Sequence, residues 1–383
     1  MHRRVLSYGC FCFALFILFV YNGSLILSAK NTQTTQLPSV SAQSAILIES
    51  ISGEVAYEKN AHTRMPMAST TKIMTAIVAM ELGDPTMMVE IPREAVGVEG
   101  SSIYLYEGER LSLEHLLYAL LLESANDAAV AIAVALSGTE DAFVEKMNQK
   151  AEALGLSDTH FTNPHGLDHE EHYTSAADLA RLAAYCIHNE LFRTIVSTRR
   201  MTIPLNDQEG ARLLLNHNRL LRSYDGTIGL KTGFTKRSGR CLVSAAERDG
   251  VTMIAVTLNA PDDWNDHRNM LDYGFSQYTA LLLQASSSYE RAIPLVGMPQ
   301  PEIIISNQND IRVILPSDHG PIRMYCEAPR WLSGDITKGQ VLGHLIWECD
   351  GNTIAIEPLL AQSSVSVSPR KQSFWARFLS LFI

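Results

Sequence analysis

The chain has 383 residues, enough for more than one domain and for a sizeable buried core. Apolar residues make up 46% and charged residues 19%, a globular balance that excludes wholesale disorder. Net charge is −10 with no concentrated basic stripe, which sets nucleic acid aside as a partner.

The N-terminus opens with Arg3 and Arg4 and then runs uncharged from Val5 to Ala29. A basic start followed by an apolar run is the pattern of an export signal, although this run also approaches the length of a spanning helix. Residues 1–42 therefore read as a signal peptide or signal anchor with a short linker. Beyond the leader, Cys186, Cys241, Cys326 and Cys349 are scattered without C-x-x-C spacing, so neither zinc nor a disulfide framework is expected. Cys186 and Cys241 read as buried free thiols, and pairing of Cys326 with Cys349 stays open.

From Ser44 the pattern is strand, turn, strand: "AILIES", "ISGE", "VAYEKN". A helical stretch runs from Ser69 to Leu82, and a second, "SLEHLLYALLLES", from Ser112 to Ser124. Ser112 can cap the second helix, although His115 stands where a capping box wants Glu or Gln. Helical periodicity continues through "NDAAVAIAVALSG" and "TEDAFVEKMNQKAEALG". The loop "HFTNPHGLDHEEHY" follows, and then "TSAADLARLAAYCI", with Thr174 or Ser175 as its cap. From Thr227 the period changes to two, and "GTIGLKTGF", "GRCLVSAAE" and "VTMIAVTLN" read as consecutive strands, the last two joined by a tight turn at "RDG". The stretch "DHRNMLDYGFSQYTALLLQ" reads as a closing helix that ends near Ser286. Strands from both ends of this segment thus flank a helical middle. Residues 43–289 form one α/β domain on this reading, and 290–360 a small all-β domain.

Residues 361–383 begin as a Ser-rich linker and end in an amphipathic helix. Phe374, Phe378, Leu381 and Phe382 share its apolar face, with Arg370, Lys371 and Arg377 near the polar side. It is too short to span a bilayer and suits the membrane interface.

Three short motifs carry chemistry. In "MASTTKIMTAI", Ser69 and Lys72 are three residues apart and share one helix face. A serine hydroxyl needs a base to become a nucleophile, and a lysine can be that base when burial and nearby charge depress its pKa. "ESANDA" supplies Ser124 and Asn126 at the end of an apolar helix: a hydroxyl for proton relay and an amide for a substrate peptide group. "GLKTGF" supplies Lys231, Thr232 and Gly233 on a strand. The cation and hydroxyl suit a carboxylate, and the glycine admits close approach of a substrate backbone. Each motif alone is weak; the three in this order and context are specific.

With "FTNPHGLD", "HYTSAADLARLA", "GLKTGFTKRSGRCLVSAA" and "MLDYGF", these motifs make the chain resemble the serine-type D-Ala-D-Ala carboxypeptidases, the low-molecular-mass penicillin-binding proteins of peptidase family S11. The resemblance spans roughly residues 44–286. It implies an α/β penicillin-recognising (β-lactamase/transpeptidase-like) domain with an antiparallel sheet and a helical subdomain, followed by a small all-β domain and an amphipathic anchor. Ser69 would be the acylated nucleophile, Lys72 its general base and Ser124 a proton-transfer group. Asn126 would contact the substrate amide, Lys231 and Thr232 would line the far wall, and Thr232 would face the terminal carboxylate. Gly233 would let the substrate approach, and the N–H groups of Ser69 and Phe234 would form the oxyanion hole. The substrate implied is a peptidoglycan stem peptide, with β-lactams as inhibitors, no metal or other cofactor, and a location on the outer face of the bacterial cytoplasmic membrane.

In several members of that family an arginine shortly before the "YGF" helix helps hold the terminal carboxylate. Here "APDDWNDHRNMLDYGF" leaves an aspartate or Trp264 near that place, with Arg268 as a possible substitute. Alternatives from the same motifs are an endopeptidase of peptidoglycan cross-links and a non-catalytic, membrane-tethered wall-binding protein. A β-lactamase would need a water-activating group; Glu170 and Glu171 lie in a loop whose form matches the carboxypeptidases instead. His165, His169 and His172 cluster without H-E-x-x-H spacing and read as solvated loop residues.

Overall fold

The computed structural model describes residues 36–205 and 210–366, so the leader and the C-terminal amphipathic helix lie outside the described residues. A hairpin of β1 (Ser44–Glu49) and β2 (Val55–Lys59) leads into the helical part. There α1 (Lys72–Leu82) is followed by a short ribbon of β3 (Met88–Glu90) and β4 (Arg110–Ser112). Next come α2 (Leu113–Leu122), α3 (Asn126–Ser137), α4 (Glu140–Ala153) and α5 (Ala176–Ile187). The caps follow the sequence: the Ser112 hydroxyl accepts the His115 N–H at 3.2 Å, and Ser175, rather than Thr174, accepts that of Asp178 at 3.1 Å.

Residues 190–223 carry elements that the patterning does not announce: α6 (Glu190–Ser197), a hairpin of β5 (Arg200–Pro204) and β6 (Ala211–Leu215), and the single turn α7 (Leu220–Ser223). Three antiparallel strands follow, β7 (Thr227–Thr235), β8 (Gly239–Arg248) and β9 (Val251–Leu258). The β8–β9 turn has Asp249 and Gly250 both at positive φ, as a two-residue hairpin turn requires. Together the strands make a five-stranded sheet in the order β2-β1-β9-β8-β7, so β1 pairs with β9 across the whole helical insertion.

β1 and β9 are buried along their entire lengths because both sheet faces are covered. Ile46, Ile48, Ile254 and Val256 face the core shared with the helical part. Ala45, Leu47, Met253 and Ala255 face the core beneath α8 (Asp263–Gln277). The closing helix predicted to reach Ser286 ends at Gln277. Tyr278–Gln284 is instead a strand, β10, which pairs with β13 (Ile311–Pro316), so strand pairing overrides the helical propensity of "TALLLQ". In the C-terminal part, β11 (Glu290–Pro294), β12 (Glu302–Ser306), β14 (Ile322–Glu327), β15 (Val341–Cys349) and β16 (Asn352–Ala361) form a second five-stranded sheet with its own apolar core. Cys326 and Cys349 do not pair. Cys326 faces Leu345 and Cys349 faces Ile322, a register that keeps the two thiols four residues apart along the strands, roughly 13 Å. No helix among the described residues is long and apolar enough to cross a membrane.

Helix α8 is tied to the sheet through His267, which is fully buried. Its Nδ1 lies 2.5 Å from the Ser244 hydroxyl and its Nε2 lies 2.9 Å from that of Thr257. Burial pushes the His267 pKa down to about 3. The unfolded chain therefore binds the extra proton between about pH 6.5 and 3, so this contribution to stability is present above pH 6.5 and is lost as pH falls toward 3. Thermal melts across that range should show a shallower acid destabilisation for His267→Gln than for the wild type; parallel profiles would refute the assignment.

Candidate active site

Ser69 lies in a 3-10 turn, Ala68–Thr71, that feeds directly into α1, so the predicted helix starts as a tighter turn. Ala68 is held at φ +46°, a region unfavourable for residues with a Cβ. The Thr70 hydroxyl donates to the Met67 carbonyl at 2.6 Å and that of Thr71 to the Ala68 carbonyl at 2.8 Å. The loop 161–173 clasps this turn. Gly166, at φ +92°, passes so close that a Cβ there would meet the Ala68 carbonyl oxygen at 2.0 Å.

His172 also serves the turn, and it is buried rather than solvated. Its Nδ1 accepts the Thr162 N–H at 3.0 Å, which places the ring proton on Nε2, 2.8 Å from the Thr71 hydroxyl. Burial pushes its pKa to about 3, in keeping with a nitrogen that faces a fixed N–H donor. His165 is largely enclosed, with its pKa lowered to about 4 by burial and then by Lys72, and His169 alone of the three is exposed. The expectation of solvated histidines therefore fails for the two that the loop folds inward. Glu170 and Glu171 are exposed and do not line the cleft at Ser69.

Lys72 is fully buried. Its Nζ lies 3.0 Å from Ser69 Oγ, 2.6 Å from Asn126 Oδ1 and 2.5 Å from the His165 carbonyl oxygen. A neutral amine has two N–H donors and one lone pair. The amide oxygen and the carbonyl are pure acceptors and take the two donors, which leaves the lone pair for the Ser69 O–H. Burial lowers the Lys72 pKa well below its usual value, Lys231 lowers it further, and Asp127 opposes them. An ammonium would donate to all three oxygens, so it is burial and the Lys231 charge that favour the neutral amine here.

Ser124 stands just past α2 at φ +60°, a strained conformation that turns it toward the cleft. Asn126 has its amide committed within the protein: Oδ1 to Lys72 and Nδ2 to the Glu99 carbonyl at 2.5 Å. Lys231, on β7, is 2% exposed and donates to the Thr232 carbonyl at 2.9 Å, and burial lowers its pKa to about 7. Thr232, Gly233 and Phe234 line the cleft, and Phe234 is 66% exposed. A Cβ on Gly233 would come within 3.1 Å of the Ser69 nitrogen, so strand and nucleophile turn nearly touch. β7 is also the terminal strand of its sheet, and among the described residues no strand pairs with its outer edge, the kind of edge an extended peptide can join.

The structure thus gathers Ser69, Ser124, Thr232, Gly233 and Phe234 around a cleft of about 610 Å³, with Lys72, Asn126 and Lys231 behind its surface. The far end holds residues that motif reading missed, Asn216, His217, Arg219, Arg222 and Arg240, beside Asp263 and Trp264 from the stretch where the sequence placed an aspartate or Trp264. The first four come from the unannounced segment after β6. Arg240 had a legible signal, since the tight "TKRSG" turn sets it directly across from Phe234. Arg268 bonds to Asn265 and Ser223 and does not line the cleft. Among the described residues no cluster of three His, Cys, Asp or Glu is arranged to hold a metal.

Comparison with known proteins places the chain in a family. Residues 31–262 match the family described as Peptidase S11, D-alanyl-D-alanine carboxypeptidase. The chain is 33% identical over 353 residues to the D-alanyl-D-alanine carboxypeptidase DacF of Bacillus subtilis, covering 88% of this chain and 90% of that one. It is similar over 86% of its length to the structures of penicillin binding protein 5 from Haemophilus influenzae (27% identity, TM-score 0.65, 98% of that chain) and of the carboxypeptidase DacD from Francisella tularensis (28%, TM-score 0.62, 94% of that chain). The chain belongs to the S11 family of serine D-alanyl-D-alanine carboxypeptidases.

Proposed function

We propose that this enzyme removes the terminal D-Ala from peptidoglycan stem pentapeptides through an acyl-enzyme on Ser69. The observation that carries the role assignment is the Lys72 amine, buried among two pure acceptors and 3.0 Å from Ser69 Oγ. Ser69 Oγ attacks the carbonyl carbon of the D-Ala-D-Ala bond while its proton passes to Lys72. The oxyanion forms between the N–H groups of Ser69 and Phe234. Collapse breaks the C–N bond, the leaving amine takes a proton relayed through Ser124, and free D-Ala departs. Water then attacks the ester, giving up its proton to restore the Ser69 hydroxyl. Lys231 braces Thr232 through the Thr232 carbonyl, and Asn126 acts by holding Lys72. Penicillins enter the same acylation step, and the resulting ester persists. Export by the leader and anchoring through Phe374, Phe378, Leu381 and Phe382 set the enzyme on the outer face of the cytoplasmic membrane, beside its substrate.

Incubation of detergent-solubilised enzyme with a pentapeptide muropeptide should release free D-Ala, detected by mass spectrometry. Ser69→Ala should reduce the rate by at least about 10³-fold. Cleavage of cross-linked dimers without D-Ala release would point to an endopeptidase, and loss of neither bond to a binding role.

Acylation should slow toward acid pH as Lys72 takes up a proton. Asn126→Asp sets a carboxylate beside the amine, stabilises the ammonium and moves that acid limb to higher pH. An unshifted limb in a stopped-flow acylation profile would remove Lys72 from the role of base.

A further inference from the structure

We propose that Arg240, on β8, binds the terminal carboxylate of the substrate, a role that rests on the peptidase reading above. The strand register carries the argument. Arg240 faces Phe234 across the β7–β8 pair, and directly opposed side chains project from the same sheet face. Thr232, two residues from Phe234, projects from that face as well, within diagonal reach of a long side chain. All three line the cleft.

The guanidinium is held for this task. Asp263, itself buried, accepts from Arg240 Nε at 3.0 Å, and the terminal nitrogens have no protein partner among the described residues. The Arg240 side chain remains 43% exposed. Trp264 flanks it, with the ring centroid 6.0 Å from the guanidinium carbon, and Arg219 stands 5.9 Å from the same ring. Asp263 and Trp264, near the place where several family members carry an arginine, here steady a cation that stands on β8. Arg219 and Arg222 also line the cleft, but among the described residues neither is gripped by a carboxylate as Arg240 is. Lys231 is buried with its ammonium on a backbone carbonyl, and Arg268 is bonded away from the cleft. A planar guanidinium gripped at Nε presents its two terminal N–H groups in the fork that a carboxylate accepts.

The test measures acylation of the full chain by benzylpenicillin and by its methyl ester, with intact-mass detection. The wild type should react faster with the acid than with the ester. Arg240→Gln should slow the acid about tenfold to a hundredfold and leave the ester within about twofold, collapsing the discrimination. Arg240→Lys, which keeps the charge without the fork, should fall between and carries the same test if the glutamine variant fails to fold. Arg268→Gln should match the wild type with both probes. An unchanged acid-to-ester ratio in the Arg240 variants, or its collapse in Arg219→Gln instead, would overturn the proposal. Release of D-Ala by the wild type is scored separately: its absence overturns the peptidase reading, while the acid-to-ester ratio still decides the role of Arg240. A wild type that neither probe acylates would sink both.

Discussion

Everything at this site depends on keeping one amine dry. A lysine in water is an ammonium and no base at all; buried without a counter-charge in contact, it gives up its proton. Lys72 meets that condition because its surroundings offer hydrogen-bond acceptors without a negative charge in contact: an amide oxygen and a backbone carbonyl. Each acceptor is fixed by its own structure. Asn126 opens α3 and is anchored to Glu99, and His165 belongs to the loop that wraps the nucleophile turn. The second buried lysine, Lys231, adds repulsion that deepens the same effect.

The supporting structure bears local strain to achieve this. Ala68 and Ser124 flank the reactive groups at φ +46° and +60°, conformations that cost of order 1–3 kcal/mol each. They persist because neighbouring elements over-determine them. The Ala68 carbonyl accepts from Thr71, which is set in turn by His172, and Gly166 packs against it where a side chain would clash. The 161–173 loop therefore holds both Lys72, through the His165 carbonyl, and the Ser69 turn, through the His172 ring.

Much of this was legible in the sequence because local rules and tertiary demands coincide. The strands "AILIES" and "VTMIAVTLN" are apolar without alternation because both sheet faces are covered, and the serine caps form as their spacing implies. The motif residues were found because the chemistry restricts them to a few residue types. Where reading failed, a distant partner had decided the outcome. "TALLLQ" is helical by composition and a strand by pairing with β13, and His172 is polar by type and buried by the turn it serves. The far end of the cleft was largely hidden because Asn216, His217, Arg219 and Arg222 reach it from a segment with no motif.

The pairing of β1 with β9 has a further consequence, for when activity begins. Ser44 meets Leu258, so the sheet cannot close until more than half of the chain is available. The Ser69 turn near the start of that span and the strand that faces it near the end are brought together by the same closure. Contacts so distant along the chain make folding slow, because the loop entropy is spent before the pairing repays it. A chain that emerges N-terminus first therefore presents Ser69 without the strand that faces it until β9 has docked.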